Sequence, residues 1–81
     1  MKNLITGGVG FIGSHLGEYL LAHGEEVGFL DDLSTGNFNN IKKLVNARGF
    51  KYYIGKVEDE KLLEKALGDS TRIFHFTAAN E

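Results

Sequence analysis

The chain has 81 residues, of which 42% are hydrophobic and 25% charged, and its formal net charge is −2. This length allows one domain at most, and the charge balance gives no sign of a nucleic-acid or anionic-membrane partner. The sequence has no cysteine, which excludes disulfides and thiolate metal sites, and no apolar run long enough to cross a membrane. No signal peptide precedes the first predicted strand, so we expect a cytoplasmic protein.

Strand-like and helix-like segments alternate along the chain. Short apolar runs predict strands at 2–6, 26–31, 50–54 and 71–76. Helical spacing predicts three helices, at 11–23, from Phe38 to before Gly49, and from an Asp59 N-cap to Gly68. Alternation of this kind implies an α/β fold with parallel strands and right-handed crossovers, in the spatial order 3-2-1-4. The sequence therefore predicts half of a doubly wound domain.

The segment that joins the first strand to the first helix reads Thr-Gly-Gly-Val-Gly-Phe-Ile-Gly at 6–13. Glycines at positions 7, 10 and 13 permit a tight turn, close approach to a pyrophosphate and close packing of a helix on a sheet. The helix that follows directs its first N–H groups and its positive dipole end at phosphates. Asp31 ends the second strand, where a carboxylate accepts hydrogen bonds from an adenosine ribose. Together these features predict a dinucleotide site of the Rossmann type.

Two longer strings carry a resemblance to a known family. Thr-Gly-Gly-Val-Gly-Phe-Ile-Gly-Ser-His-Leu at 6–16 and Leu-Asp-Asp-Leu-Ser-Thr-Gly-Asn at 30–37 resemble the extended short-chain dehydrogenase/reductase family. Within that family the chain is most similar to NAD-dependent nucleotide-sugar epimerases and dehydratases of the UDP-glucose 4-epimerase type. Phe-His-Phe-Thr-Ala-Ala at 74–79 is similar to the fourth-strand segment of these enzymes. The resemblance implies that residues 1–81 form the N-terminal part of a partial Rossmann domain that binds NAD, with the substrate domain absent.

The resemblance also implies a set of cofactor contacts. Phe11 and Ile12 would offer backbone N–H groups to the pyrophosphate, and Val57 would lie beside the adenine. Asp31 would hold the ribose and favour NAD over NADP, since a carboxylate repels a 2′-phosphate. The full set of implied cofactor-binding residues is Gly7, Gly10, Phe11, Ile12, Gly13, Asp31, Asp32, Leu33, Ser34, Thr35, Gly36, Lys56, Val57, Phe76, Thr77 and Ala78.

Four positions depart from the family pattern or from good packing. Lys56 stands where these enzymes usually carry an aspartate that accepts a hydrogen bond from the adenine amino group, and an ammonium cannot accept one. Thr77 replaces a small apolar residue. Gly17 interrupts the first helix at a cost of about 1 kcal/mol relative to alanine, and Gly28 lies in a strand where a β-branched residue would pack better. We expect weaker adenine binding and weaker core packing as a result.

Catalysis in this family requires a Tyr-x-x-x-Lys pair on a helix, where the two side chains lie about 5–6 Å apart. Tyr52 and Lys56 match that spacing literally, but they fall on a predicted strand, where four residues span about 13 Å. We therefore assign no catalytic residue. The histidines at 15 and 23 are too far apart on one helix to share a metal ion, and His75 is expected to fill a sheet position near the cofactor, so no metal site is predicted.

We expect the chain to be the NAD-binding portion of such an epimerase or dehydratase, inactive alone. One alternative is a free-standing nucleotide-binding or interaction module that docks on another chain; another is a scaffold in which Lys56 has ended NAD binding. The outer edge of the fourth strand, Ile73 to Phe76, is expected to remain unpaired and to support a homodimer or a complementing C-terminal chain.

Overall fold

The computed structural model describes residues 1–7, 10–33 and 38–76. In chain order the elements are β1 (Lys2–Thr6), α1 (Phe11–Ala22), β2 (Glu26–Asp31), two short 3₁₀ helices (Phe38–Asn40 and Lys42–Leu44), β3 (Phe50–Ile54), α2 (Glu60–Leu67) and β4 (Arg72–His75). The strands pair in parallel in the order β3-β2-β1-β4. The predicted strand order and the Rossmann-type fold class are confirmed.

The prediction of a second α-helix, from Phe38 to before Gly49, is wrong. The segment from Phe38 forms only two 3₁₀ helices, so the described residues contain two α-helices and not three. The Ile41 N–H donates to the Phe38 carbonyl at 3.0 Å, which is the i to i+3 bond of a 3₁₀ turn. Asn39 and Asn40 are weak helix formers because their side chains compete for backbone hydrogen bonds. Helical spacing did predict the buried side, because Ile41 and Leu44 both lie in the core.

The sheet carries a hydrophobic core on each face. On the α1 face the buried residues are Ile5, Leu20, Val27, Phe29, Ile41 and Leu44. On the α2 face they are Leu4, Leu30 and Ala66. Neighbouring residues of β1 and β2 therefore point to opposite cores, as expected for central strands of a parallel sheet. This layering leaves the carboxyl ends of the strands at one open edge.

Helix α2 begins and ends as predicted. The Asp59 side chain accepts a hydrogen bond from the Leu62 N–H at 3.2 Å, and Gly68 follows the last helical residue with φ of 49°. No helix in the described part of the chain is both long and apolar enough to cross a membrane.

Candidate functional site

The order of the strands defines a crevice at the carboxyl edge of the sheet. The chain runs from β1 outward through β2 to β3, and then returns to place β4 on the other side of β1. In open α/β sheets, ligands bind outside the carboxyl ends of the strands at such a reversal point. Thr6 and His75 are the last residues of the two strands that flank it.

Gly7 makes the turn that leaves β1. Its φ is +70°, and a Cβ at this position would lie 2.1 Å from the carbonyl oxygen of Phe76. Its N–H donates to the Leu30 carbonyl at 2.8 Å. Any side chain would therefore displace the backbone that follows β4, and only glycine fits.

Helix α1 starts without a side-chain cap. Gly10 is the N-cap residue, and its carbonyl accepts the Ser14 N–H at 3.0 Å. No acidic residue lies in the first turn, where Phe11 and Ile12 expose 73% and 69% of their surfaces. The Ser14 hydroxyl donates to the Phe11 carbonyl at 2.8 Å. The helix start therefore brings no negative group of its own to the positive end of the dipole.

Asp31 ends β2 at the same edge and is only 7% exposed. Its Oδ1 accepts the Leu33 N–H at 2.7 Å, and its backbone carbonyl accepts the Gly55 N–H at 3.0 Å. Leu33 adopts a φ of 64°, in the left-handed region. These bonds hold the carboxylate at the carboxyl edge, while Asp32 beside it is exposed.

The segment after β3 contains two more of the predicted cofactor residues. Lys56 is exposed, and its carbonyl accepts the Asp59 N–H at 3.0 Å in the turn before α2. Val57 is half-buried against the core of the α2 face. Tyr52 lies in β3 and Lys56 lies past its end, so the two do not share a helix, and the rejection of this pair as catalytic stays a prediction.

The structure thus brings Gly7, Gly10, Phe11, Ile12, Gly13, Asp31, Asp32, Leu33 and Phe76 to the carboxyl edge. Phe76 follows β4 directly, and its N–H donates to the Thr6 carbonyl at 2.9 Å. The predicted residues Ser34, Thr35, Gly36, Thr77 and Ala78 lie outside the described residues.

One contact at this edge was not predicted from the sequence. The Thr6 hydroxyl and His75 Nδ1 are joined by a hydrogen bond, although Thr6 carried no predicted role. Strand register contained the signal, because Thr6 and His75 are direct partners in the β1–β4 pair.

A polar network occupies the opposite, amino edge of the sheet. Asn3, which is 1% exposed, donates to Glu25 Oε1 at 3.0 Å and accepts from Arg72 Nε at 2.8 Å. Arg72 also bonds Glu25 at 2.5 Å. The hydrogen bonds from Asn3 and Arg72 lower the pKa of Glu25 below its ordinary value. No cluster of three or more potential metal ligands occurs among the described residues.

Comparisons with known proteins identify similar chains. Residues 4–81 match the family described as GDP-mannose 4,6 dehydratase. The UDP-glucose 4-epimerase of Lactobacillus helveticus is 40% identical over 80 residues, which cover 96% of this chain and 23% of the relative. The dTDP-D-glucose 4,6-dehydratase of Dictyostelium discoideum is 44% identical over 66 residues, 78% of this chain and 15% of the relative.

Solved structures show the same likeness. The dTDP-glucose 4,6-dehydratase of Bacillus anthracis in complex with NAD aligns with a TM-score of 0.85 at 31% identity, over 98% of this chain and 27% of its own. The UDP-glucose 4-epimerase of Thermus thermophilus in complex with NAD aligns with a TM-score of 0.78 at 38% identity, over 98% of this chain and 24% of its own. The chain therefore spans about a quarter of the length of these proteins.

Proposed function

The chain belongs to the GDP-mannose 4,6 dehydratase family, and on that premise we propose that it is the NAD-binding portion of a nucleotide-sugar epimerase or dehydratase of the UDP-glucose 4-epimerase type. The observation that carries the proposal is the Gly7 turn, where a Cβ would meet the Phe76 carbonyl. A glycine forced by close backbone approach, next to an uncapped helix start, is the arrangement that accepts a pyrophosphate.

NAD fits the residues present at the carboxyl edge. The first turn of α1 would bind the pyrophosphate through the N–H groups of Phe11 and Ile12. Asp31, held in place by the Leu33 N–H, would accept hydrogen bonds from the ribose hydroxyls. When bound, NAD would supply an acceptor for the hydride on the sugar carbon that bears a hydroxyl. The role of this chain is to bind and orient that cofactor.

Calorimetric titration of the whole chain with NAD tests the proposal. We expect saturable binding at one site, and we expect Gly7→Ala to abolish it because the added Cβ displaces the Phe76 backbone. Gly24→Ala is a matched control, since Gly24 also has a positive φ (79°) but follows the other end of α1. Equal NAD affinity for the Gly7 and Gly24 variants would contradict the proposal.

We propose that the chain alone has no epimerase, dehydratase or dehydrogenase turnover. No helix among the described residues carries a tyrosine followed by a lysine four positions later, and the matched epimerase is about four times longer than this chain. Turnover of UDP-galactose or dTDP-glucose above the buffer rate, in the presence of NAD, would overturn this. The cytoplasmic location expected from the sequence stays a prediction.

A second candidate function is favoured by the edge of β4. Within the described residues β4 pairs with β1 alone, and Ile73 is 57% exposed although strands of parallel sheets are normally covered on both faces. In doubly wound folds the next strand pairs with the fourth. We propose that a C-terminal segment of a family member, acting as a separate chain, docks on this edge.

Mixing the chain with the C-terminal part of the Lactobacillus helveticus relative tests that docking. We expect the two polypeptides to co-elute in size-exclusion chromatography, and Ile73→Glu to prevent it. Tyr19→Glu is the control, since Tyr19 is 59% exposed on α1, away from β4. Light scattering that shows a homodimer of this chain, or a monomer that does not bind the added C-terminal segment, would contradict the proposed docking.

A further inference from the structure

Thr6 and His75 form a bridge across the point where the strand order reverses. They are the last residues of β1 and β4 and are direct register partners. The Thr6 hydroxyl and His75 Nδ1 share a hydrogen bond. Ligands of doubly wound folds bind outside the carboxyl ends of the strands at this reversal point, so the bridge lies at the edge of the sheet where the cofactor is expected.

Packing alone does not require a hydroxyl group at position 6. Thr6 is 3% exposed, and a valine would have the same shape without a polar group to satisfy. A buried hydroxyl without a partner is costly, whereas one that is hydrogen-bonded is not. His75 is exposed, so the bond is not a consequence of burying the imidazole. The pair is therefore a specific link between two strand ends.

The link is directly connected to the glycine turn. Phe76, which follows His75, donates its N–H to the Thr6 carbonyl at 2.9 Å. Gly7, which follows Thr6, approaches the Phe76 carbonyl so closely that a Cβ would lie 2.1 Å from the oxygen. A shift of the end of β4 relative to β1 must therefore move the turn that precedes α1.

We propose that His75 and Thr6 are positioning residues for the dinucleotide: their hydrogen bond sets the spacing of the two strand ends, and so the position of the Gly7 turn against the pyrophosphate. The inference rests on the proposed function, since it assigns a role within the same cofactor site. Neither side chain needs to touch the cofactor for this role.

The same two strands carry a natural control at their other end. Asn3 and Arg72 are also register partners, and Arg72 Nε donates a hydrogen bond to Asn3 Oδ1 at 2.8 Å. Thr6 lies three positions along β1 from Asn3, a distance of about 10 Å. Loss of the Arg72 bonds should weaken the β1–β4 pair without moving the Gly7 turn.

Titrations with NAD test the proposal on matched variants. We expect Thr6→Val and His75→Phe each to weaken NAD binding roughly fivefold, and the double variant to be no weaker than either, because all three lose one bond. Thr6→Ser and His75→Asn keep hydrogen-bonding groups near the same positions and should rescue affinity. Arg72→Met should lower the melting temperature while leaving the NAD dissociation constant unchanged.

Amide hydrogen exchange of the cofactor-free chain is a second test of the proposal, and it does not depend on NAD binding. In Thr6→Val we expect the amides of Gly7 and Phe76 to lose protection, and that of Val27 at the far end of β2 to keep it. If the parent chain binds no NAD, the proposed function fails and the exchange still decides whether the bridge positions the turn. Unchanged exchange at Gly7 and Phe76 would overturn the inference, as would additive losses of affinity in the double variant.

Discussion

Gly17 of α1 lies directly against the ring of Phe29 of β2: a Cβ on Gly17 would be 2.4 Å from Cζ of that ring. Phe29 is fully buried in the core of the α1 face. The glycine therefore lets helix and sheet approach closely around a large aromatic side chain. The sequence-based view that Gly17 weakens core packing is wrong in this respect, because the ring uses the space that a methyl group would fill.

Replacement of Gly17 by alanine should destabilise the chain, although alanine is the better helix former. The gain in helix propensity is about 1 kcal/mol, while overpacking a core costs typically ~1–3 kcal/mol. We expect the free energy of unfolding in urea to fall by roughly 1 kcal/mol, from the difference of these terms. In a Phe29→Leu background the same substitution should be neutral or stabilising, and a destabilisation of equal size in both backgrounds would contradict the steric explanation.

Asp31→Ala should weaken NAD binding more than NADP binding. The substitution removes an acceptor for the ribose hydroxyls and also a negative charge that would repel a 2′-phosphate. Calorimetric titration with both cofactors measures the ratio of the two dissociation constants. Asp31→Asn is the control, since it keeps an oxygen acceptor for the Leu33 N–H while it removes the charge. Equal losses for NAD and NADP in the alanine variant would exclude Asp31 from the ribose site.

Lys56→Asp should tighten NAD binding roughly fivefold, because one net hydrogen bond to the adenine is worth about 1 kcal/mol. Lys56 is exposed in the turn between β3 and α2, so the substitution should leave the fold intact. Lys61→Asp makes the same change of charge on an exposed position of α2 and should leave the affinity unchanged. Equal tightening in the two variants would indicate a general charge effect and not an adenine contact.

The stability of the chain should fall in acid through the amino-edge network. Hydrogen bonds from Asn3 and Arg72 lower the pKa of Glu25 in the folded state below its ordinary value of 4.5. The stabilisation by Glu25 is therefore present above pH 4.5 and is lost as the pH falls through the folded pKa. The difference in melting temperature between the parent chain and Glu25→Gln should shrink across that interval.

A second carboxylate serves as the comparison for this pH series. The hydrogen bond from Lys2, at 2.7 Å, lowers the pKa of Asp69. Within the described part of the chain Asp69 and Glu25 share no hydrogen-bond or ion-pair partner, so the losses of melting temperature caused by Asp69→Asn and Glu25→Gln should add. If the difference in melting temperature between the parent chain and Glu25→Gln stays constant from pH 7 to pH 3, the network does not depend on the ionised carboxylate.

Much of the site could be predicted because its signals are local. The glycine spacing and the acidic residue that ends β2 are properties of single segments, and both lie at the carboxyl edge as expected. The α-helix predicted from Phe38 failed because spacing of apolar residues reports which side is buried and not which helical hydrogen bonds form. The roles of the sequence-predicted cofactor residues stay predictions until binding is measured.

By itself the sequence determined the alternation of strands and helices, their order in the sheet and the glycine turn, since periodicity and glycine placement act over a few neighbouring residues. Only the tertiary structure decided the contacts between residues distant in the chain: Gly17 against Phe29, Gly7 against the Phe76 carbonyl, and Thr6 with His75. Such contacts depend on strand register and on the distance between helix and sheet. Both are set by the packing of the whole core and leave no periodic signal in any one segment.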